Sequence, residues 1–181
     1  MPDEARLEET PGGLEPVDDG WFIVNVADSA WWRNDAFGAS CGFEAGRNDA
    51  ARFQEYGINI HVVWPGQPNC MYHGEAAQED FLVLAGECLL LVEGKERPLK
   101  AWDFVHFPKW TEHVIVGVGT GPCAILMVGS RADERTTYPV SELAQKYGAG
   151  LEEETDQPRE AYARFPKWRR ERVDDQGLPW N

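Results

Sequence analysis

The sequence predicts an all-β, antiparallel fold, a jelly roll or small barrel, and three observations carry that prediction. Between residues 55 and 130 the chain is a succession of short apolar or alternating runs, "INIHVVW", "CMYHGE", "FLVLAG", "CLLLVEG", "DFVHFP", "EHVIVGVG" and "CAILMVG". Gly- and Pro-bearing turns such as PGQPN and TGP separate them, which is how short antiparallel strands are punctuated. No long segment of helical period lies between the runs, so βαβ units are excluded. With 181 residues, 43% of them hydrophobic, the chain can bury one sizeable core, and a second full domain is not expected.

The flanking segments follow in order. Residues 1–20 are rich in Asp, Glu, Pro and Gly and show no hydrophobic period, the composition of a disordered acidic tail. Residues 21–54 read as an N-terminal arm whose Trp21, Trp31 and Trp32 need apolar surface, either on the barrel or on a partner subunit. Residues 55–130 form the barrel. Residues 131–181 form a C-terminal extension in which "SELAQKYGAG" offers Ser141 as N-cap and Gly148 as stop for a short helix, and "QPREAYARFP" offers a second. The basic run Lys167, Arg169, Arg170 and Arg172 is expected to pair with carboxylates of this acidic chain or of a partner subunit.

Charge narrows the partners. Against 31 acidic residues stand 17 basic ones, a formal net charge of −14, which repels phosphate backbones and anionic lipid heads; the expectation is no nucleic acid, no membrane, and a small-molecule ligand. Cys41, Cys70, Cys88 and Cys123 show no CxxC spacing and are expected to be reduced and structural. No apolar run approaches a membrane span and the acidic N-terminus is unlike a secretory signal, so a cytoplasmic location is expected. The tryptophan-bearing arm and the edge strands of a small barrel point to a homodimer.

One stretch does not fit a purely structural reading. "HGEAAQED" places His73, Glu75, Glu79 and Asp80 immediately before the core run "FLVLAG", and an unpaired buried carboxylate costs several kcal/mol. His73 and Glu75 share a face if extended, Glu79 enters the next strand, and His113 opens a strand further on. Two imidazoles with one or two carboxylates suit Fe(II), Mn(II), Zn(II), Ni(II) or Co(II). The metal-ligand candidates are therefore His73, Glu75, Glu79 and His113. His61 and His106 lie in strand-like runs, as core or pocket residues, and Tyr56, Trp64, Tyr72, Trp102 and Trp110 are candidates for an apolar cavity around the cation.

These residues resemble the two motifs of the cupin superfamily, as a small single-domain, conserved-barrel member. Gly66, His73, Glu75, Glu79 and Gly86 stand in line with the first motif, and Asp103, Pro108 and His113 with the second. Glu75 occupies the place of the usual second His, Trp110 that of a Gly and Gly117 that of an Asn. The resemblance implies a double-stranded β-helix and a divalent transition metal on His73, Glu79 and His113, with Glu75 either a direct ligand or a neighbouring carboxylate. It implies a mononuclear metal enzyme, a dioxygenase or an isomerase acting on a small molecule, or alternatively a non-catalytic cupin that binds a sugar-like ligand or is structural. The His73 and Glu79 spacing is similar to that of 3-hydroxyanthranilate dioxygenases, but "GQPNCMY" offers no basic residue for a substrate carboxylate.

Overall fold

The computed structural model describes residues 3–43 and 52–181; residues 44–51 of the expected arm lie outside them. The barrel strands are β5 (Tyr56–Val63), β6 (Gly74–Glu75), β7 (Glu79–Ala85), β8 (Glu87–Val92), β9 (Lys95–Lys100), β10 (Phe104–Phe107), β11 (His113–Gly117) and β12 (Cys123–Ser130). Ahead of them come β1 (Leu7–Thr10), β2 (Gly13–Pro16), β3 (Trp32–Asn34) and β4 (Gly38–Gly42); after them β13 (Thr136–Thr137), α1 (Glu142–Lys146), α2 (Pro158–Ala161) and β14 (Arg169–Arg170). All strand pairings between these elements are antiparallel.

A seven-stranded sheet in the order β10-β7-β12-β5-β4-β3-β14 faces a three-stranded sheet, β11-β8-β9. Strand alternation decides what lies between them. Odd-numbered residues of β5, β7, β11 and β12, with even ones of β8, point inward, so that Val63, Phe81, Val83, Leu90, Ile115, Ile125 and Met127 form one buried cluster. The opposite parity is covered too. Ile60, Val62 and Ala124 on the back of the large sheet pack under Trp31, Val173 and Leu178, while Leu91, Val114 and Val116 behind the small sheet meet Ala144 and Ala149 around α1. Burial on both faces is why these strands read as near-continuous apolar runs.

The expected helices are present and short, and Ser141 Oγ caps α1 by accepting from the Ala144 amide at 3.2 Å. The expectation of a disordered tail over residues 1–20 is corrected for residues 7–16, where β1 and β2 pair as a hairpin. Its Glu15 is buried and ion-paired with Arg170, a partner 155 residues away that local composition cannot reveal. The two other arginines of the basic run pair within the chain as well: Arg169 reaches Asp35 at 3.0 Å and Glu171 at 2.6 Å, and Arg172 reaches Glu9.

Trp31 finds its apolar surface in its own chain, stacked on Trp180 at 5.5 Å between ring centres. Trp32 lies under the Arg170 guanidinium at 4.5 Å, and Trp21 is exposed. Burying Trp31 therefore requires no second subunit. All four cysteines are free thiols.

Candidate metal centre and cavity

His73 ends a loop that bridges to the start of β11: the His73 amide donates to the His113 carbonyl at 3.1 Å, and the His113 amide to the His73 carbonyl at 2.8 Å. That exchange sets the two imidazoles 4.9 Å apart. Each ring uses Nδ1 to hold itself. His73 Nδ1–H donates to the Met71 carbonyl at 2.8 Å and His113 Nδ1–H to the Thr111 carbonyl at 2.9 Å, which leaves both Nε2 lone pairs available as ligands. The His113 ring also stacks on Phe107, 3.9 Å away and nearly parallel at 12°.

Glu79, the first residue of β7, brings its carboxylate to 3.4 Å from His113 Nε2. One ligand atom each from His73, Glu79 and His113 lies within 4.8 Å of the others, a group that can hold a metal ion. Glu75 Oε1 is 3.5 Å from His73 Nε2, but Glu75 is not part of that group of three; its side chain, 33% exposed, stands on the open side.

The cluster is poorly satisfied as a set of hydrogen-bonding groups. His113 Nε2 is buried with no hydrogen-bond partner, a defect worth about 1–3 kcal/mol. Burial, together with charge on His73, pushes the His113 pKa down to about 3. Burial and the Glu75 carboxylate push Glu79 up to about 7, against the opposing pull of His73. A cation accepting the two Nε2 lone pairs and the carboxylate satisfies these groups together, so the residues present fit a divalent transition metal.

Departures from the first and second motifs have local explanations. Trp110 adopts the positive φ, 64°, that a glycine would take without strain; its amide donates to the Glu75 carbonyl at 2.6 Å, and Arg135 lies over its ring. The left-handed conformation costs an L-residue on the order of 1–2 kcal/mol. At Gly117 a Cβ would come within 2.3 Å of the Trp64 carbonyl oxygen, so no side chain fits there.

Segment 59–129 matches the cupin domain family. Residues 59–129 form a cupin domain. No curated protein matches the chain. Among solved structures this cupin is similar to a protein from Acidithiobacillus ferrooxidans described only provisionally as a sugar phosphate isomerase, at 29% identity over 55% of this chain and 63% of that one, with a TM-score of 0.47. A cupin-superfamily sugar phosphate isomerase from Silicibacter pomeroyi matches at 25% identity over 55% and 62%, TM-score 0.46. A Cupin 2 conserved barrel domain protein from Salinispora arenicola matches at 17% identity over 72% and 98%, TM-score 0.50. The chain thus spans just under two thirds of the length of the first two, and the third likeness shows the fold alone.

In this cupin the ligand group opens into a cavity of about 800 Å³. Strand register builds its floor. Glu79, Gly129 and Gly57 lie in one row across β7, β12 and β5; Phe81, Met127, Asn59 and Gly42 form the next, and His61, Ser40 and Trp32 belong to a third. The two glycines beside Glu79 leave the space next to the ligands open. Asn59 Oδ1 lies buried on this floor with no partner. Arg52 and Arg131 stand at the mouth, engaged with Glu134 and, at 2.6 Å, with the Phe53 carbonyl.

The five aromatics expected around the cation do not line the cavity. Tyr72 is buried behind the small sheet, Trp64 donates to Asp175 at 3.0 Å, and Tyr56, Trp102 and Trp110 are exposed. Tyr56 has the wrong parity on β5 to face inward, whereas Asn59 and His61 have the right one. Trp32, Trp168, Phe81 and Met127 supply the apolar wall instead. His106 is exposed and paired with Asp80 at 2.7 Å, and Gln78 is an exposed turn residue that donates to Asp80 at 2.6 Å.

His61 is a buried pocket residue whose Nε2–H donates to the Phe37 carbonyl at 2.7 Å. Burial lowers its pKa to about 4, the hydrogen bond opposing. Because an unfolded His titrates near 6.5, the unfolded chain binds the extra proton first as pH falls. Folding stability is therefore undiminished above about 6.5 and declines toward pH 4 at up to about 1.4 kcal/mol per pH unit. Urea unfolding of the metal-free protein at pH 7 and pH 5 is expected to show a loss of about 2 kcal/mol from this group. His61→Phe, compared at the same two pH values, should lack that component; an unchanged difference would exclude His61 as its source.

Proposed function

We propose that this cupin holds one divalent transition metal on His73, Glu79 and His113 and acts there on a small polar molecule admitted through the cavity. The observation that carries the reading is His113 Nε2, buried without a partner and aimed at His73 and Glu79. A metal bound there would supply a Lewis acid for a ligand oxygen. Three protein ligands opening onto a cavity are the pattern of a catalytic site, since structural metal sites are closed by a fourth side chain. This supports an enzyme over a purely structural cupin.

Around the ligands, the chain's own groups divide the work. Asn59 Oδ1 accepts a hydroxyl or amine proton of the bound molecule, and the glycine row admits that molecule beside Glu79. Glu75, on the open side of the cluster, is placed to hold or deliver a proton on the ligand, as an isomerase requires; a dioxygenase needs no such carboxylate. Hydroxylated, sugar-like compounds fit this combination of one acceptor, a carboxylate and an aromatic wall at Trp32 and Trp168.

Elemental analysis of protein grown in metal-supplemented medium and never exposed to chelator tests the reading, with about one transition metal per chain expected. Glu75→Gln, outside the three-ligand group, should retain the metal with less than about a tenfold loss of affinity, while turnover falls. A wild-type protein without stoichiometric metal and without metal-dependent melting sinks the proposal. Loss of metal from Glu75→Gln as complete as from a ligand variant would make Glu75 a direct ligand.

A further inference from the structure

The ligand His73 is not delivered by a strand. Residues 64–73 run from the end of β5 to β6 as a loop, and the orientation of the Met71 carbonyl, to which the His73 ring is tied, is not set by a regular ladder. Two of the loop's amides are anchored instead from the C-terminal extension. The Tyr72 amide donates to the Ala149 carbonyl at 2.8 Å, and the Met71 amide donates to the Tyr162 hydroxyl at 3.1 Å. Met71 itself is fully buried.

Tyr162 is rigidly placed. It follows α2 as its C-cap, and its ring packs edge-on against Phe37 at 5.4 Å and against Tyr138 at 5.8 Å. Tyr138 in turn lies 6.0 Å from the His73 ring. The Met71 backbone is thus held on both sides of its Cα: its amide by Tyr162, and the following peptide unit by the Tyr72 amide on Ala149 and the Met71 carbonyl on His73. A shift of the Met71 backbone would turn the imidazole away from Glu79 and His113.

We infer that Tyr162, which lies outside the matched segment 59–129, is a positioning residue for the metal ligand His73, so that the barrel's metal centre depends on the C-terminal extension. This rests on the metal-binding reading above. Groups that orient a ligating His from behind typically change metal affinity by 10- to 100-fold when removed. The hydroxyl acts on affinity and ligand geometry, whereas the aromatic ring serves packing.

The test is Co(II) titration of metal-free wild type and Tyr162→Phe, followed by the visible ligand-field spectrum and the melting temperature. Phenylalanine keeps the packing on Phe37 and Tyr138 and deletes only the hydroxyl. The expected result is a Co(II) affinity lower by about 10- to 100-fold, with an altered spectrum and little change in the melting of the metal-free protein. Equal affinity and an identical spectrum overturn the inference, even if the variant melts lower, because that is the outcome of a merely structural role. Wild type that binds no Co(II) overturns the metal reading itself and this inference with it. Should Tyr162→Phe fail to fold, amide exchange in the wild type decides: a Met71 amide exchanging at the rate of an unprotected one excludes the Tyr162 anchor, and a protected amide supports it.

Discussion

His113→Ala is expected to reduce bound transition metal to trace levels and to abolish the rise in melting temperature that metal confers on the wild type. His113 contributes the most enclosed donor atom, its side chain only 1% exposed, and it is one of the three residues whose grouping can hold a metal ion. Metal binding to the folded state stabilises by RT ln(1 + [M]/Kd), about 4 kcal/mol at a thousandfold excess over Kd, and the variant should forfeit all of it. Truncation also removes the ring that stacks on Phe107, so the metal-free variant will melt somewhat below the metal-free wild type. The two effects separate by experiment. Scanning both proteins with chelator and with Zn(II) should show a large metal-dependent shift for the wild type and none for the variant. A variant that still gains stability from metal would place the ligands elsewhere.

Arg170→Ala is expected to destabilise the fold by about 3 kcal/mol or more, because it strips the cation from a buried carboxylate. Glu15 is 2% exposed in its side chain and Arg170 17%, so solvent can do little for the charge that remains. The same guanidinium donates to Thr10 Oγ1 at 3.2 Å and covers the Trp32 ring, tying the N-terminal hairpin, the arm and β14 together. Urea unfolding should register the loss as a lower midpoint with a similar slope. Removing both partners, Glu15→Leu with Arg170→Met, should cost less than the sum of the single changes, since the buried carboxylate and the guanidinium that pairs with it are then removed together. A single-variant cost below about 1 kcal/mol would mean that the pair behaves as a surface ion pair.

Much of the barrel was legible because period-two patterning and turn residues are local. The runs from "INIHVVW" to "CAILMVG" became strands β5 to β8 and β10 to β12, although "CMYHGE" supplies only Gly74–Glu75. By contrast β9, Lys95–Lys100, is a charged, exposed strand that no apolar run announces. The cap and stop residues around α1 could be read from the chain. The motif spacing likewise singled out His73, Glu79 and His113, which the fold places at the end of the loop before β6 and at the first residues of β7 and β11. Glu75 reads from the sequence as a direct ligand or a neighbouring carboxylate, because a two-residue spacing says which face a side chain takes and not how far its carboxylate reaches.

What the chain determined by itself is the all-β class, through alternation and local turn chemistry, and the metal-ligand candidates His73, Glu75, Glu79 and His113, through the resemblance of their spacing to the cupin motifs. The tertiary structure alone decided that an acidic tail would fold as a hairpin, that Trp31 would be covered by Trp180, that Asn59 and not the flanking aromatics would face the cavity, and that Tyr162 would brace the loop carrying His73. Each of these joins residues distant in sequence, Glu15 to Arg170 and Met71 to Tyr162. The favourable energy comes from desolvation and pairing that arise only when both partners are buried together, so no local pattern records it.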